Sequence, residues 1–256
     1  MLSSLLLFVV TTTAFQLSPP QAANGFHPST ADSPPTPQPP KPVSNELRGD
    51  IMMAKKMYRE AIDTYKQSPE TAVIANKIGI AYHQLTELDR AKKYYERAIK
   101  LERTYAEAIN NLGTVFYAQK SYRRAIGEYR KALRVNPNAA SILSNLGMAY
   151  FARKNYDLAS ATFQKAFELD PTVFEHRGTT GVLLEERSVE ERAKFHYYLA
   201  KTYAKAGKND LALLYIRKAL EEGFKEREKF LKEAEFEPLR DDDEFKKIMA
   251  QEPKPL

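Results

Sequence analysis

The stretch NLGTVFYAQKSYRRAIGEYRKALRVNP, residues 111–137, decides how this chain is read. Leu112, Val115 and Phe116 recur at helical spacing, and so do Ala125, Ile126, Tyr129, Ala132 and Leu133. Between the two runs, AQKSY is polar and too short for anything but a tight turn. The stretch therefore predicts an antiparallel helix pair. Gly113 and Ala125 are small where the helices cross, so the backbones can approach, and Phe116 and Tyr129 fill the space around that contact. Pro137 ends the second helix because proline cannot continue the hydrogen-bond ladder.

The pattern returns at fixed steps. Gly79, Gly113 and Gly147 are 34 residues apart, as are Ala91, Ala125 and Ala159, and Ala98, Ala132 and Ala166. The aromatic series Tyr82, Phe116, Tyr150 and Tyr95, Tyr129, Phe163 keep the same step. Two more units join once the register slips. Gly49, Ala61 and Tyr65 stand 30 residues before Gly79, Ala91 and Tyr95, and Ala200, Tyr203, Ala212 and Ala219 stand 53 after Gly147, Tyr150, Ala159 and Ala166. The second slip is an insertion near 174–192, where EHRGTTGVLLEE reads as an irregular loop and Ser188 to Glu191 as a capping box that starts the next helix. Repeats are thus expected near 44–71, 72–105, 106–139, 140–173 and 193–226. A C-terminal cap and tail follow over 227–256, with one or two short helices around Phe230, Leu231, Phe236, Leu239, Phe245 and Ile248.

These units resemble tetratricopeptide repeats, whose pattern is W-x2-L-G-x2-Y, then A-x3-F, A and P within 34 residues. Residues 106–139 match with Leu112, Gly113, Phe116, Ala125, Tyr129, Ala132 and Pro137, and 140–173 with Leu146, Gly147, Tyr150, Ala159, Phe163, Ala166 and Pro171. Residues 72–105 match with Ile78, Gly79, Tyr82, Ala91, Tyr95 and Ala98, but Arg103 replaces the proline. Ala75, Ile109 and Leu143 hold the tryptophan column. The resemblance implies an all-α fold: a helical solenoid, a right-handed superhelix of about five helix pairs plus the capping segment. It also implies a concave face lined by the first helix of each pair. On that face it places Asn76, Ile80 and His83; Asn110, Asn111, Thr114 and Tyr117; Ser144, Asn145, Met148 and Phe151; and, in the last repeat, Tyr197 and Lys201. Asn111 and Asn145 share a column, similar to the asparagine ladder that some members use to hold a peptide backbone. Lys77 and Tyr198 replace asparagine on either side, leaving two rungs. The two-carboxylate clamp of chaperone-binding relatives is not matched, because Asn76 stands where its first lysine belongs.

The chain before the repeats is of another kind. Of 256 residues, 15 are proline and 10 glycine, and nine of the prolines fall between Pro19 and Pro42. Residues 17–43 cannot bury enough apolar surface to order themselves and read as a stiff linker. Residues 1–16 read as a signal peptide: Leu2 to Val10 is an apolar run too short to span a bilayer, and Thr12 and Ala14 supply the small pair before a cleavage site. No Lys or Arg precedes that run. The expected location is the periplasm or outside the cell. Absence of cysteine removes disulfides, thiolate metal sites and cysteine nucleophiles.

Nothing in the sequence offers a catalytic constellation, a metal site or a cofactor fingerprint. The four histidines, His27, His83, His176 and His196, lack metal-ligand spacing, and no phosphate loop, G-x-S-x-G or H-E-x-x-H occurs. Asp241 to Phe245, DDDEF, reads as an acidic helix start rather than a calcium loop, and the Arg48-Gly49-Asp50 tripeptide falls in a packing column. The net charge is +6; residues 44–105 carry 12 basic and 9 acidic side chains, and 106–173 carry 9 and 5. Counted this way the excess is mild and forms no block, which argues against nucleic acid and for a mildly acidic ligand. The sequence therefore points to a non-enzymatic scaffold whose concave groove binds a peptide segment or partner helix of a protein. An accessory subunit of an envelope assembly, using convex face and caps, is the alternative.

Overall fold

The computed structural model describes residues 43–174 and 188–251. The signal peptide, nearly all of the linker and the EHRGTTGVLLEE loop lie outside the described residues, as does the tail from 252. Among the described residues every regular element is helical. Five consecutive pairs form the solenoid: α1 (Asn45–Ala54) with α2 (Tyr58–Tyr65), α3 (Ala72–Gln84) with α4 (Leu88–Leu101), α5 (Ala106–Ala118) with α6 (Tyr122–Val135), α7 (Ala140–Ala152) with α8 (Tyr156–Leu169), and α9 (Val189–Lys205) with α10 (Asn209–Glu221). The Ser188 hydroxyl accepts from the Glu191 N–H, so the expected cap does start α9.

Each pair is locked by a ring beneath a glycine. A Cβ built on Gly113 would lie 2.7 Å from the Tyr129 ring, and one on Gly147 would lie 2.5 Å from Phe163. Gly49 with Tyr65 and Gly79 with Tyr95 repeat the arrangement. The place of the missing side chain is thus taken by an aromatic ring sixteen residues later, rather than by the close backbone approach the sequence suggested. The fifth pair solves the problem differently. Ala200 stands in the glycine column, Ile216 in the aromatic column, and both are 0% exposed. A methyl has been added on one helix and a ring reduced to a branched chain on the other.

The turn inside each pair also keeps register. Lys56, Thr86, Lys120, Lys154 and Gly207 all have φ between 55° and 68°. In the third pair, Lys120 N–H donates to the Tyr117 carbonyl and Ser121 N–H to the Phe116 carbonyl, both at 2.8 Å, which satisfies carbonyls that the end of α5 leaves open. Only Gly207 occupies this left-handed position without a Cβ penalty.

The two ends of the stack are treated unlike the middle. Ser44 and Arg48 occupy columns that hold Ile74, Ala108 and Ile142, and Ile78, Leu112 and Leu146, farther on, so α1 presents a more polar outer side. At the other end, α11 (Glu228–Lys232), a 3-10 turn (Ala234–Leu239) and α12 (Asp243–Ala250) form the cap. Phe230, Phe236, Leu239, Phe245 and Ile248 are buried there. Asp242 caps α12 by accepting from Glu244 and Phe245 N–H groups, which is what the DDDEF run is for.

Replacing Gly147 with Ala should destabilise the chain by about 1–3 kcal/mol, because the Phe163 ring has nowhere to retreat. Adding Phe163→Ile recreates the combination of the fifth pair and should recover part of that loss. Chemical denaturation of the two single variants and the double variant measures the coupling; strictly additive losses would contradict the ring-under-glycine account.

Candidate partner-binding surface

Four of the expected side chains, Asn76, Asn110, Asn111 and Asn145, meet, and they hold one another. Asn145 Nδ2 donates to Asn110 Oδ1 at 3.0 Å, and Asn111 Nδ2 donates to Asn76 Oδ1 at 3.0 Å. Asn110 Nδ2 joins the two rungs by donating to Asn111 Oδ1 at 3.3 Å. Asn76 Nδ2 then donates to Glu107 Oε1 at 3.0 Å. Four amides thus run head to tail across α7, α5 and α3, and none is more than 8% exposed. Each rung links one column to its neighbour in the preceding repeat. Lys77 makes the same link in ionic form: its Nζ donates to Glu46 at 2.7 Å and to Asp50 at 2.8 Å. Burial alone would lower the Lys77 pKa, yet the hydrogen bonds to Asp50 and Glu46 outweigh it and hold the ammonium above its ordinary value. The ladder therefore has three inter-repeat rungs, where two ligand-facing ones were expected.

The aromatic candidates are buried as well. Tyr117 meets Tyr122 edge-on at 5.2 Å between ring centres, and Phe151 meets Phe195 of the next repeat at 5.6 Å. Tyr156 and Tyr198 stack at 5.2 Å beside Phe151, with Lys194 Nζ 4.1 Å from the Tyr156 ring. Burial, and then the neighbouring Tyr156 and Asp157, push the Tyr198 hydroxyl up to about 12. Tyr197 and Lys201 lie under the C-terminal cap. Tyr197 stacks on Phe224 at 4.6 Å and donates to Glu233 at 2.5 Å, and Lys201 pairs with Glu233 and Glu235 at 3.0 and 3.4 Å. For these two residues the partner is the chain's own end.

A smaller set of polar groups stands outside the ladder. The hydroxyls of the rings beneath the glycines emerge one residue further along the first helix. Tyr65 donates to Asp50 at 2.7 Å and Tyr129 to Thr114 at 3.3 Å. Where Met148 takes that column, the ring is Phe163, which has no hydroxyl to place. Tyr95 faces the column of Ile80, which offers no acceptor, and its hydroxyl makes no hydrogen bond among the described residues. Burial, and the nearby Glu107 carboxylate, hold that phenol protonated, so it is a donor. His83 and Ser144, both half-buried, also keep unpaired polar atoms among the described residues. Sequence reasoning found His83 and Ser144 and missed Tyr95, which it assigned to packing alone.

Charge is spread unevenly between the helices. The five first helices α1, α3, α5, α7 and α9 together carry six basic and five acidic side chains and are close to neutral. Most of the basic excess therefore lies elsewhere. His196, away from the wall, is paired through space: its Nδ1 lies 2.7 Å from Glu222, with Arg192 on the same carboxylate at 3.2 Å. Among the described residues no group of His, Asp and Glu could hold a metal ion, and no helix is long and apolar enough to cross a membrane.

Two outcomes follow. Asn111→Ala should cost about 1–3 kcal/mol of stability, since it leaves the Asn76 oxygen and an Asn110 N–H unpaired, whereas Ser144→Ala should cost little. Thermal melts of both variants check this. His83 is held below its ordinary pKa of 6.5 by burial, so the unfolded chain takes up this proton more readily. Its contribution is present above pH 6.5 and lost as pH falls through the window beneath it. His83→Gln should therefore lose less stability than the parent between neutral pH and about pH 5.5; parallel losses would contradict the assignment.

Comparison with known proteins agrees with this geometry. Tetratricopeptide-repeat family models match residues 72–105 and 110–173. Among curated proteins none matches. Of the solved structures, a crystal structure of MamA is 22% identical, spans 68% of this chain and 93% of its own, and superposes with a TM-score of 0.48. YrrB, described as a TPR protein with an unusual peptide-binding site, is 23% identical over 48% of this chain and 66% of its own, with a TM-score of 0.44. The first TPR domain of Spaghetti (RPAP3), bound to the HSP90 peptide SRMEEVD, is 24% identical over 43% of this chain and 90% of its own, with a TM-score of 0.41. Likenesses of this size carry no functional argument. Residues 72–105 and 110–173 are thus tetratricopeptide repeats, set in a helical-repeat solenoid of five pairs among the described residues.

Proposed function

We propose that the chain is a non-enzymatic protein-interaction scaffold whose inner wall receives a peptide segment or helix of a partner protein. The observation that carries this is the two half-buried polar side chains left unpaired beside a self-satisfied amide ladder, the His83 ring and Ser144. Amides fixed by one another give a rigid background, so little ordering cost remains on binding. The imidazole and the hydroxyl can both donate and accept, which suits the alternating groups of a peptide backbone. We place the protein outside the cytoplasm, on the apolar run from Leu2 to Val10 and the small pair Thr12 and Ala14; N-terminal sequencing of the mature chain tests this.

A photo-crosslinking amino acid placed at His83 or Ser144 tests the wall. Capture of one protein from both positions, and not from Lys165 on α8, is the expected result. Equal capture from all three, or capture from Lys165 alone, would refute the inner-wall reading.

A further inference from the structure

Counted by helix instead of by repeat, the charge is concentrated. The second helix α4 carries five basic and two acidic side chains, and α6 carries five and one. Their combined excess of +7 exceeds the +6 of the whole chain. Between them lies a recess of about 430 Å³. Its floor is Ile109 and Leu112 of α5, its walls include Ile99 and Val135, and Arg103 and Arg134 stand on its rim. Ile109 and Leu112 fall on the side of α5 roughly opposite Asn110 and Thr114, so the recess and the amide ladder use different faces of the same helix.

The rim is basic in a way its neighbours are not. Its two carboxylates are already engaged, Glu128 with Lys131 at 2.6 Å and Glu96 with Lys92 at 3.6 Å. Neither Arg103 nor Arg134 has a carboxylate partner among the described residues; Arg134 reaches only the Arg130 carbonyl, at 3.5 Å. One repeat later the same columns hold Pro137 and Glu168. Ile109 of the floor holds the column where the family pattern has tryptophan.

We propose that the outer face of α4 and α6 docks an acidic segment of a partner protein, which seats one large apolar side chain in the recess between Arg103 and Arg134. The cations set the charge of the partner, and the apolar floor selects a protein side chain. An aliphatic floor gives a nucleic-acid base no aromatic platform to stack on. This surface is independent of the inner-wall reading and stands if that reading fails.

The probe is a fluorescein-labelled peptide of glutamates around one phenylalanine, followed by fluorescence anisotropy with the full chain. It should bind, weaken as salt rises, and bind more tightly than the same peptide with serine for phenylalanine. Arg103→Glu with Arg134→Glu should weaken it by about tenfold. Arg103→Pro restores the residue of the neighbouring repeats and should weaken it less while keeping the fold, as circular dichroism verifies. Ile109→Trp fills the recess and should abolish the preference for phenylalanine, and His83→Ala should leave binding unchanged. The proposal is overturned if the doubly charge-reversed chain binds equally well or if phenylalanine and serine peptides are not distinguished. It is also overturned if phosphatidylglycerol vesicles or polyuridylate RNA bind more tightly than the peptide and insensitively to Ile109→Trp.

Discussion

The ring that each second helix slides beneath a glycine of its first helix is the constraint on which the other features rest. A ring admits no half-measures: with the glycine offset by one residue, the aromatic would strike a side chain. The pair is therefore held in one register, and that register decides which residues of the first helix face inward. The hydroxyl at the far end of the ring follows the same logic. It meets Asp50 and Thr114 where an acceptor stands in the next position and is absent, as Phe163, where Met148 stands there; Tyr95, opposite Ile80, is the exception. The fifth pair, with Ala200 and Ile216, shows that the constraint is on the sum of the two groups and not on glycine itself.

Most of this architecture was legible because its determinants are local. Glycine, alanine and aromatic columns lie within a few turns of one another, and a slip of the register by an insertion leaves them intact. The wall was legible only as a set of positions. Asn111 was readable as an inward amide, but its partner, Asn76, belongs to the preceding repeat, and nothing in the column pattern says whether an amide faces a ligand or a neighbour. Tyr197 and Lys201 failed for a related reason: the residues that cover them, Phe224, Glu233 and Glu235, follow the last repeat and have no counterpart in the earlier ones. The pairing of His196 with Glu222 joins opposite ends of a helix pair and leaves no mark in a motif.

Charge was legible in the sequence as a total and not as a place. A repeat contains a first and a second helix, so counting by repeat averages two surfaces. Separated by helix, the five first helices are close to neutral, while α4 and α6 hold an excess larger than that of the entire chain. A helical solenoid can thus concentrate charge on two neighbouring helices under an unremarkable total.

The amide ladder has a mechanical consequence. An amide that both donates and accepts cannot reverse alone, because two oxygens or two N–H groups would then meet, and the Glu107 carboxylate, which only accepts, fixes the direction of the whole run from Asn145 through Asn110 and Asn111 to Asn76. Repeats two to four are therefore coupled chiefly by buried amide-to-amide bonds, which salt screens little. The first repeat is tied on by Lys77 with Glu46 and Asp50, and the cap by Lys201 with Glu233 and Glu235, all partly exposed ion pairs. Added salt therefore weakens the two ends of the stack before it weakens the middle.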